Sequence, residues 1–294
     1  MSHKTTAAIV GFAALGCAGV FYWMHSRAGH PFTEVVSAEP PGFHQPPPEK
    51  PASATAAKSP APSDTKNNAP PADTGLPLRA GEILEYSGSL SNVKDVANLK
   101  LQIAGKGSIA GKSAWHLQAF AHTLNPLRMV FELDDQFDSY SDAGTMVSLQ
   151  YEMYLSERGE KVTSVQRMTA TGKEPAPPGA SEARVLPGTR DPLGMLQFLR
   201  FADWAKNPEA RCPVYDGHKL YDVRAKIIGT AENVMGPSGK YSTSKIQIRV
   251  FDNGVEMKDA SFMLYLANIP PKTPVLLEAT LPFATARVEL VKAK

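Results

Sequence analysis

ANLKLQI (Ala97–Ile103) and WHLQAFA (Trp115–Ala121) decide the fold class of this chain. In the first, Ala97, Leu99, Leu101 and Ile103 alternate with Asn98, Lys100 and Gln102. In the second, Trp115, Leu117, Ala119 and Ala121 alternate with His116, Gln118 and Phe120. Successive side chains on a strand point to opposite faces, so a period of two marks a strand with one buried face. Gly105 to Gly107 and Gly111 lie between the runs and supply the turn.

The same period recurs toward the carboxyl end. Val223, Ala225 and Ile227 alternate with Asp222, Arg224 and Lys226, and Ile246, Ile248 and Val250 with Lys245, Gln247 and Arg249. Phe262, Leu264 and Leu266 follow, then Val288 and Leu290. Asp142 to Gly144, Arg158-Gly159, Asp216-Gly217, Gly236 to Gly239 and Asn253-Gly254 punctuate the runs. Asn253-Gly254 suits a two-residue hairpin, because both positions tolerate positive φ. About ten to twelve strands in an antiparallel meander are expected at such spacing. One segment departs from the period: Asp191-Pro192 offers an N-cap and a proline at the first helical position, after which Leu193, Leu196, Leu199 and Phe201 recur near helical spacing. The fold class read here is mainly β: a curved half-barrel or open barrel, with one helix over Pro192–Trp204 packed across it. A long antiparallel sheet curls because flat sheets leave exposed edges.

Outward to the amino end, the chain changes character twice. Residues 25–78 are rich in Pro, Ala, Ser and Lys, with 11 prolines between Pro40 and Pro77. Such a segment cannot bury enough apolar surface to offset its ordering entropy, so it reads as an unfolded linker. In polyproline geometry Pro40–Pro77 would reach on the order of 100 Å. Before it, Ala7–Met24 is an uncharged, mostly apolar run, long enough as a helix to cover about 27 Å of hydrocarbon. Tyr22 and Trp23 fall where an aromatic belt meets the far interface. Residues 1–24 read as an uncleaved transmembrane anchor in the inner membrane, with residues 79–294 forming a periplasmic β-domain. A lipoprotein cut before Cys17, or a signal peptide cleaved after small residues within Ala13–Ala18, are the rivals. All three export the domain.

Composition narrows the function. The 294 residues carry 31 Lys plus Arg against 29 Asp plus Glu, a formal charge of +2. That balance lacks the electrostatic footprint of a nucleic-acid binder. A mean hydropathy of −0.23 excludes a polytopic membrane protein. Two cysteines, Cys17 and Cys212, supply neither a disulfide framework nor a cysteine metal site.

Six stretches in one order carry a resemblance. AGEILEYSGSL (Ala80–Leu90), ELDDQFDSYSDAGT (Glu132–Thr145), RDPLGMLQFLR (Arg190–Arg200), VYDGHKLYDVRAKIIG (Val214–Gly229), GKYSTSKIQI (Gly239–Ile248) and RVELV (Arg287–Val291) resemble the bacterial domain-of-unknown-function family 3108. The resemblance spans most of Ala80–Val291. It implies an exported envelope protein with a β-rich fold, and brings no catalytic residues. LANIPPKTPVLLEAT (Leu266–Thr280) departs from the family's aspartate-rich turn there.

No constellation names a reaction. Glu132, Asp134, Asp135, Asp138 and Asp142 form the densest acidic cluster, but alternation splits them between faces, and a solvated strand edge is the expectation. His116, His122 and His218 form no ligand pair. Ser87, Ser141 and Ser242 lack a nucleophile elbow. GPSGK (Gly236–Lys240) lacks the Lys-Ser/Thr pair of a phosphate loop. No cofactor or metal is therefore called. What remains is apolar bulk. If the curled sheet stays open, the helix caps a concave apolar cavity, and Phe198, Phe201, Trp204 and Trp115 are the residues to line it around a lipid or other apolar ligand. The alternative is an interaction protein of the envelope, whose sheet edge or Pro-rich linker docks another protein.

Overall fold

The computed structural model describes Leu78–Lys294 apart from Val130, residues 171–178, Asp259, Ala260 and Phe283. The anchor reading at 1–24 and nearly all of the linker at 25–78 lie outside the described residues. Among those described, no helix is long and apolar enough to cross a membrane.

The first half of the domain contributes β1 (Ile83–Leu90), β2 (Val93–Ile109), β3 (Lys112–Thr123), β4 (Asp134–Asp142), β5 (Ser148–Glu157), β6 (Glu160–Thr169) and β7 (Ser181–Arg184). Helix α1 (Pro192–Phe201) follows. The second half contributes β8 (Glu209–Tyr215), β9 (Leu220–Gly236), β10 (Gly239–Asp252), β11 (Val255–Glu256), β12 (Ser261–Ala267), β13 (Pro274–Thr280) and β14 (Thr285–Ala293). All fourteen strands share one sheet, in the order β7-β6-β5-β4-β3-β2-β1-β14-β13-β12-β10-β9-β8, with β11 beside β10. Among the described strands only β6 and β7 pair in parallel. The two meanders are stitched in the middle by β1 against β14, from Leu84 opposite Ala293 to Leu90 opposite Ala286.

Two expectations need correction. The sheet has fourteen strands, more than the alternation disclosed, because β4 and β5 are buried on both faces. Where neither face meets water, polar and apolar residues have no reason to alternate. The helix stops at Phe201, with Ala202 already extended. Trp204 lies beyond it, and its indole Nε1 donates to Leu199 O at 2.9 Å, occupying one of the carbonyls that a helix end leaves without a partner. Asn253 and Gly254 do take positive φ, 49° and 82°, between Asp252 and Val255, which pair.

The sheet curls until its edges approach, without a ladder between β7 and β8. The crossover from β7 runs along the seam. Val185 N donates to Thr169 O, Ser148 N donates to Thr189 O, and Arg190 pairs with β8 through Pro213 O and Tyr215 N. Opposite walls also touch: Gln166 Nε2 on β6 donates to Gly217 O in the β8–β9 turn at 2.8 Å. Gly217 stands at φ 101°, where a side chain is strained, and a Cβ there would lie 2.3 Å from Met153 Cε. The inward residues of both meanders and α1 make one apolar cluster.

Candidate functional site

The interior beneath α1 is where the sequence placed a ligand, and the helix itself occupies it. Asp191 caps the helix as its sequence predicted, accepting Leu193 N at 2.8 Å and Gly194 N at 2.9 Å. Its second oxygen accepts the hydroxyls of Ser139 on β4 and Ser148 on β5, each at 2.5 Å. Asp191 is fully buried. Desolvation pushes its carboxyl up against the pull of these four hydrogen bonds. Gly194 lets the first turn press onto the sheet: a Cβ there would meet Ser141 Oγ at 2.8 Å and Met146 O at 3.0 Å.

The other end of α1 is held by an ion pair. Arg200, 1% exposed, grips Glu82 just ahead of β1 through both guanidinium nitrogens, at 2.7 and 2.6 Å. Its Nε donates to Pro271 O at 2.9 Å. Both helix ends are therefore fixed to opposite parts of the wall. A cavity of about 10 Å³ lies there among the described residues, bordered by Leu84, Leu101, Ile103, Leu117, Leu193 and Gln197 among others. That is room for one water at most. At this place the close approach at Gly194 and the leucines of α1 leave little of the expected apolar cavity.

The four residues nominated for the ligand stand apart from that space. Phe198 is half-buried under the Arg190 guanidinium, 3.8 Å from its ring centroid. Phe201 is half-buried with the Arg200 guanidinium at 5.1 Å. Trp204 closes the helix end, as described. Trp115 is buried on β3, with Lys106 Nζ 5.6 Å from its ring and an indole Nε1 that has no partner among the described residues. None of the four borders the cavity.

The acidic cluster also differs from expectation, since parts of it are buried. Asp134 and Glu132 do stay at the surface, both bound by Arg128. Asp135 points inward, accepts Ser156 N at 2.9 Å, and lies beside Glu157. Burial, then the Glu157 charge, push it up to about 8. Asp138 is buried on the outer face, where His116, Gln118 and Gln136 converge on it at 2.5, 2.7 and 2.6 Å. Directly opposite on β5, Glu152 accepts Gln150 and Tyr154, each at 2.5 Å. Sequence reasoning put His116 on the polar face correctly and missed this network, because its members come from three strands. Among the described residues no group of three or more His, Cys, Asp or Glu could hold a metal. The hydroxyls of Ser87, Ser141 and Ser242 meet Asp95, other serines and Asn268. The Cys212 thiol is buried and pushed up to about 11 by that burial, with Arg190 opposing.

Two open grooves mark the surface. One, of about 470 Å³, runs over the outer face of β8–β10, past Leu186, Pro187, Pro213, Leu220 and Phe251. The Arg224 guanidinium covers Phe251 at 3.9 Å. The other, of about 360 Å³, lies where the described chain begins, between Arg79, Glu82, Pro270, Pro271, Thr273 and Lys294.

Comparison with known proteins gives a family and distant shapes. Residues 85–291 match the family described as protein of unknown function DUF3108. No curated protein matches the chain. Among solved structures, a β-barrel-like DUF1849 protein from Brucella abortus superposes with a TM-score of 0.46 at 13% identity, over 73% of this chain and 97% of that one. A protein described as exported, with a YmcC-like fold, from Bacteroides fragilis gives 0.36 at 11% identity, over 75% and 98%. A protein described as a lipoprotein from Parabacteroides distasonis gives 0.33 at 14% identity, over 74% and 97%.

Proposed function

The chain belongs to the DUF3108 family of proteins of unknown function, and from that premise we propose that it is a membrane-tethered periplasmic domain that docks another envelope protein on its surface and holds no ligand inside. The observation that carries this reading is that α1 occupies the interior and is locked there at both ends. Small-molecule sites typically enclose roughly 300–1,000 Å³, whereas the cavity bordered by Leu84, Leu193 and Gln197 measures about 10 Å³. An acyl chain would enter only by displacing the helix, and that would strip Asp191 and Arg200 of their buried partners. Losing such partners carries the full desolvation cost of the stranded groups.

A protein partner has a better footing in the groove over β8–β10. Its floor combines leucine, proline and phenylalanine with a stacked arginine, the mixture enriched at protein-docking surfaces. Leu186 beside it is more than half exposed. Two measurements test the proposal together. Organic extraction and mass spectrometry of the purified protein should yield no stoichiometric lipid. A photo-crosslinker at Leu186 should return one dominant envelope protein in cells, lost when Phe251→Asp is added. Stoichiometric lipid, or crosslinks unaffected by Phe251→Asp, would overturn it.

A further inference from the structure

The end of the domain from which the chain leaves toward its amino terminus is built unlike the rest of the surface, and we propose that it is a contact face for anionic lipid headgroups. Five segments make this end. Leu78–Glu82 joins the sheet there, with Gly81 N donating to Ile103 O. Lys294 exchanges hydrogen bonds with Ile83 across from it. The Asn268–Thr273 loop borders the same groove. Asn268 ties that loop to the β9–β10 hairpin, donating to Ser242 O at 2.9 Å and Thr230 O at 2.8 Å. The segment after α1 joins through Lys272 Nζ, which donates to Ala202 O at 3.2 Å.

Large apolar side chains stand exposed on this end. Met235 near the hairpin tip is 71% exposed and Ile269 on the loop 67%. Ile228 and Val291 are each more than two-fifths exposed. They are set among cations: Arg79, Lys240, Lys292 and Lys294 are exposed, and Lys272 is half-buried. The acids nearby are few. Glu82 is taken by Arg200, and Glu85 and Lys294 offset each other, which leaves Arg79, Lys240, Lys272 and Lys292 against Glu232 and Asp203. Apolar residues are exposed at the far end too, but their charged neighbours there are mutually paired. Met129 lies beside Glu132 and Asp134, both held by Arg128, and Val255 beside Glu256 and Asp252, held by Arg249 and Lys219.

Isolated apolar tips among lysines and arginines suit a bilayer surface, where tips enter the headgroup layer and cations meet anionic lipid. A protein groove would call for a continuous apolar floor, which this end lacks. The order of the chain points the same way. The apolar run Ala7–Met24 lies on the amino side of Leu78, so a chain inserted through that run leads to this face first. Tethering raises the effective concentration of a weak surface contact, so a few such groups suffice to hold the domain down. The proposal is independent of the docking groove over β8–β10, which lies elsewhere on the sheet.

The test uses the full chain reconstituted in vesicles, in a Cys17→Ser background, Cys212 being buried. A fluorophore at Met235→Cys is read against a lipid-borne headgroup quencher, and one at Val255→Cys serves as the far-end control. In vesicles of phosphatidylcholine with a third phosphatidylglycerol, quenching at position 235 should exceed that at 255 at least threefold. The contrast should collapse in 0.5 M salt, in pure phosphatidylcholine, and in Lys240→Glu/Lys292→Glu/Lys294→Glu, a surface variant whose thermal unfolding should match the parent. Equal quenching at both positions in anionic vesicles, or a contrast indifferent to salt and to the triple variant, would overturn the proposal. Such indifference would leave this end to a protein partner.

Discussion

The two ends of α1 are anchored by opposite chemistries. At the amino end Asp191 is buried with neutral donors, two hydroxyls and two amides, with Arg190 nearby only as a charge and not a hydrogen-bond partner. At the carboxyl end Glu82 and Arg200 are buried as a bidentate ion pair. The first arrangement keeps a carboxyl that burial pushes toward protonation. The second depends on both partners, each burying a charge that the other compensates. The comparison teaches that the helix is a fixed structural insert, held by local capping on one side and by a long-range pair on the other.

Removing one member of the ion pair should have the largest effect. Arg200→Ala leaves the Glu82 carboxylate buried and alone, and is expected to cost about 3–5 kcal/mol in chemical denaturation. Glu82→Leu/Arg200→Met should recover most of that loss; if the double variant is no better than the single, the pair matters through Pro271 O and not through charge. Next comes Asp191→Ala, expected to cost about 2–3 kcal/mol, since it removes a cap and strands two buried hydroxyls. Asp191→Asn should lose much less, because asparagine caps equally well. Gly194→Ala should cost about 1–3 kcal/mol by forcing the first turn off Ser141 and Met146.

A last prediction concerns buried carboxyls away from the helix ends and is read by pH. Asp135 sits near 8 and Asp216 near 6 when folded, both raised chiefly by burial. Between pH 4 and those values the folded domain holds protons that the unfolded chain has released. Stability should therefore be greatest in mild acid and fall as pH rises through 6 and then 8, by no more than about 1.4 kcal/mol per pH unit for each group. Asp135→Asn should flatten the fall between pH 6 and 8 in thermal melts.

Much of this was readable before folding. The alternation over Ala97–Ile103 and Trp115–Ala121 gave strands with the anticipated face inward, and Asp191-Pro192 marked the helix start to the residue. The candidate site fared differently. Phe198, Phe201 and Trp204 were legible as bulk, but their tasks, stacking on arginines and capping a helix end, depend on neighbours folded against them. Glu82 and Arg200 are 118 positions apart, and nothing local links them.

The sequence by itself determined the strand period, the turns, the single helix and its amino-terminal cap, because each is written in residues within a few positions of one another. Tertiary structure alone decided that β1 meets β14 in mid-sheet and that Asp135 and Asp138 are both buried. It alone also decided that the helix is locked into the barrel's interior at both ends. Whether a curved sheet encloses a void is a small difference between two large volumes, set here by how closely Gly194 lets the helix approach the wall.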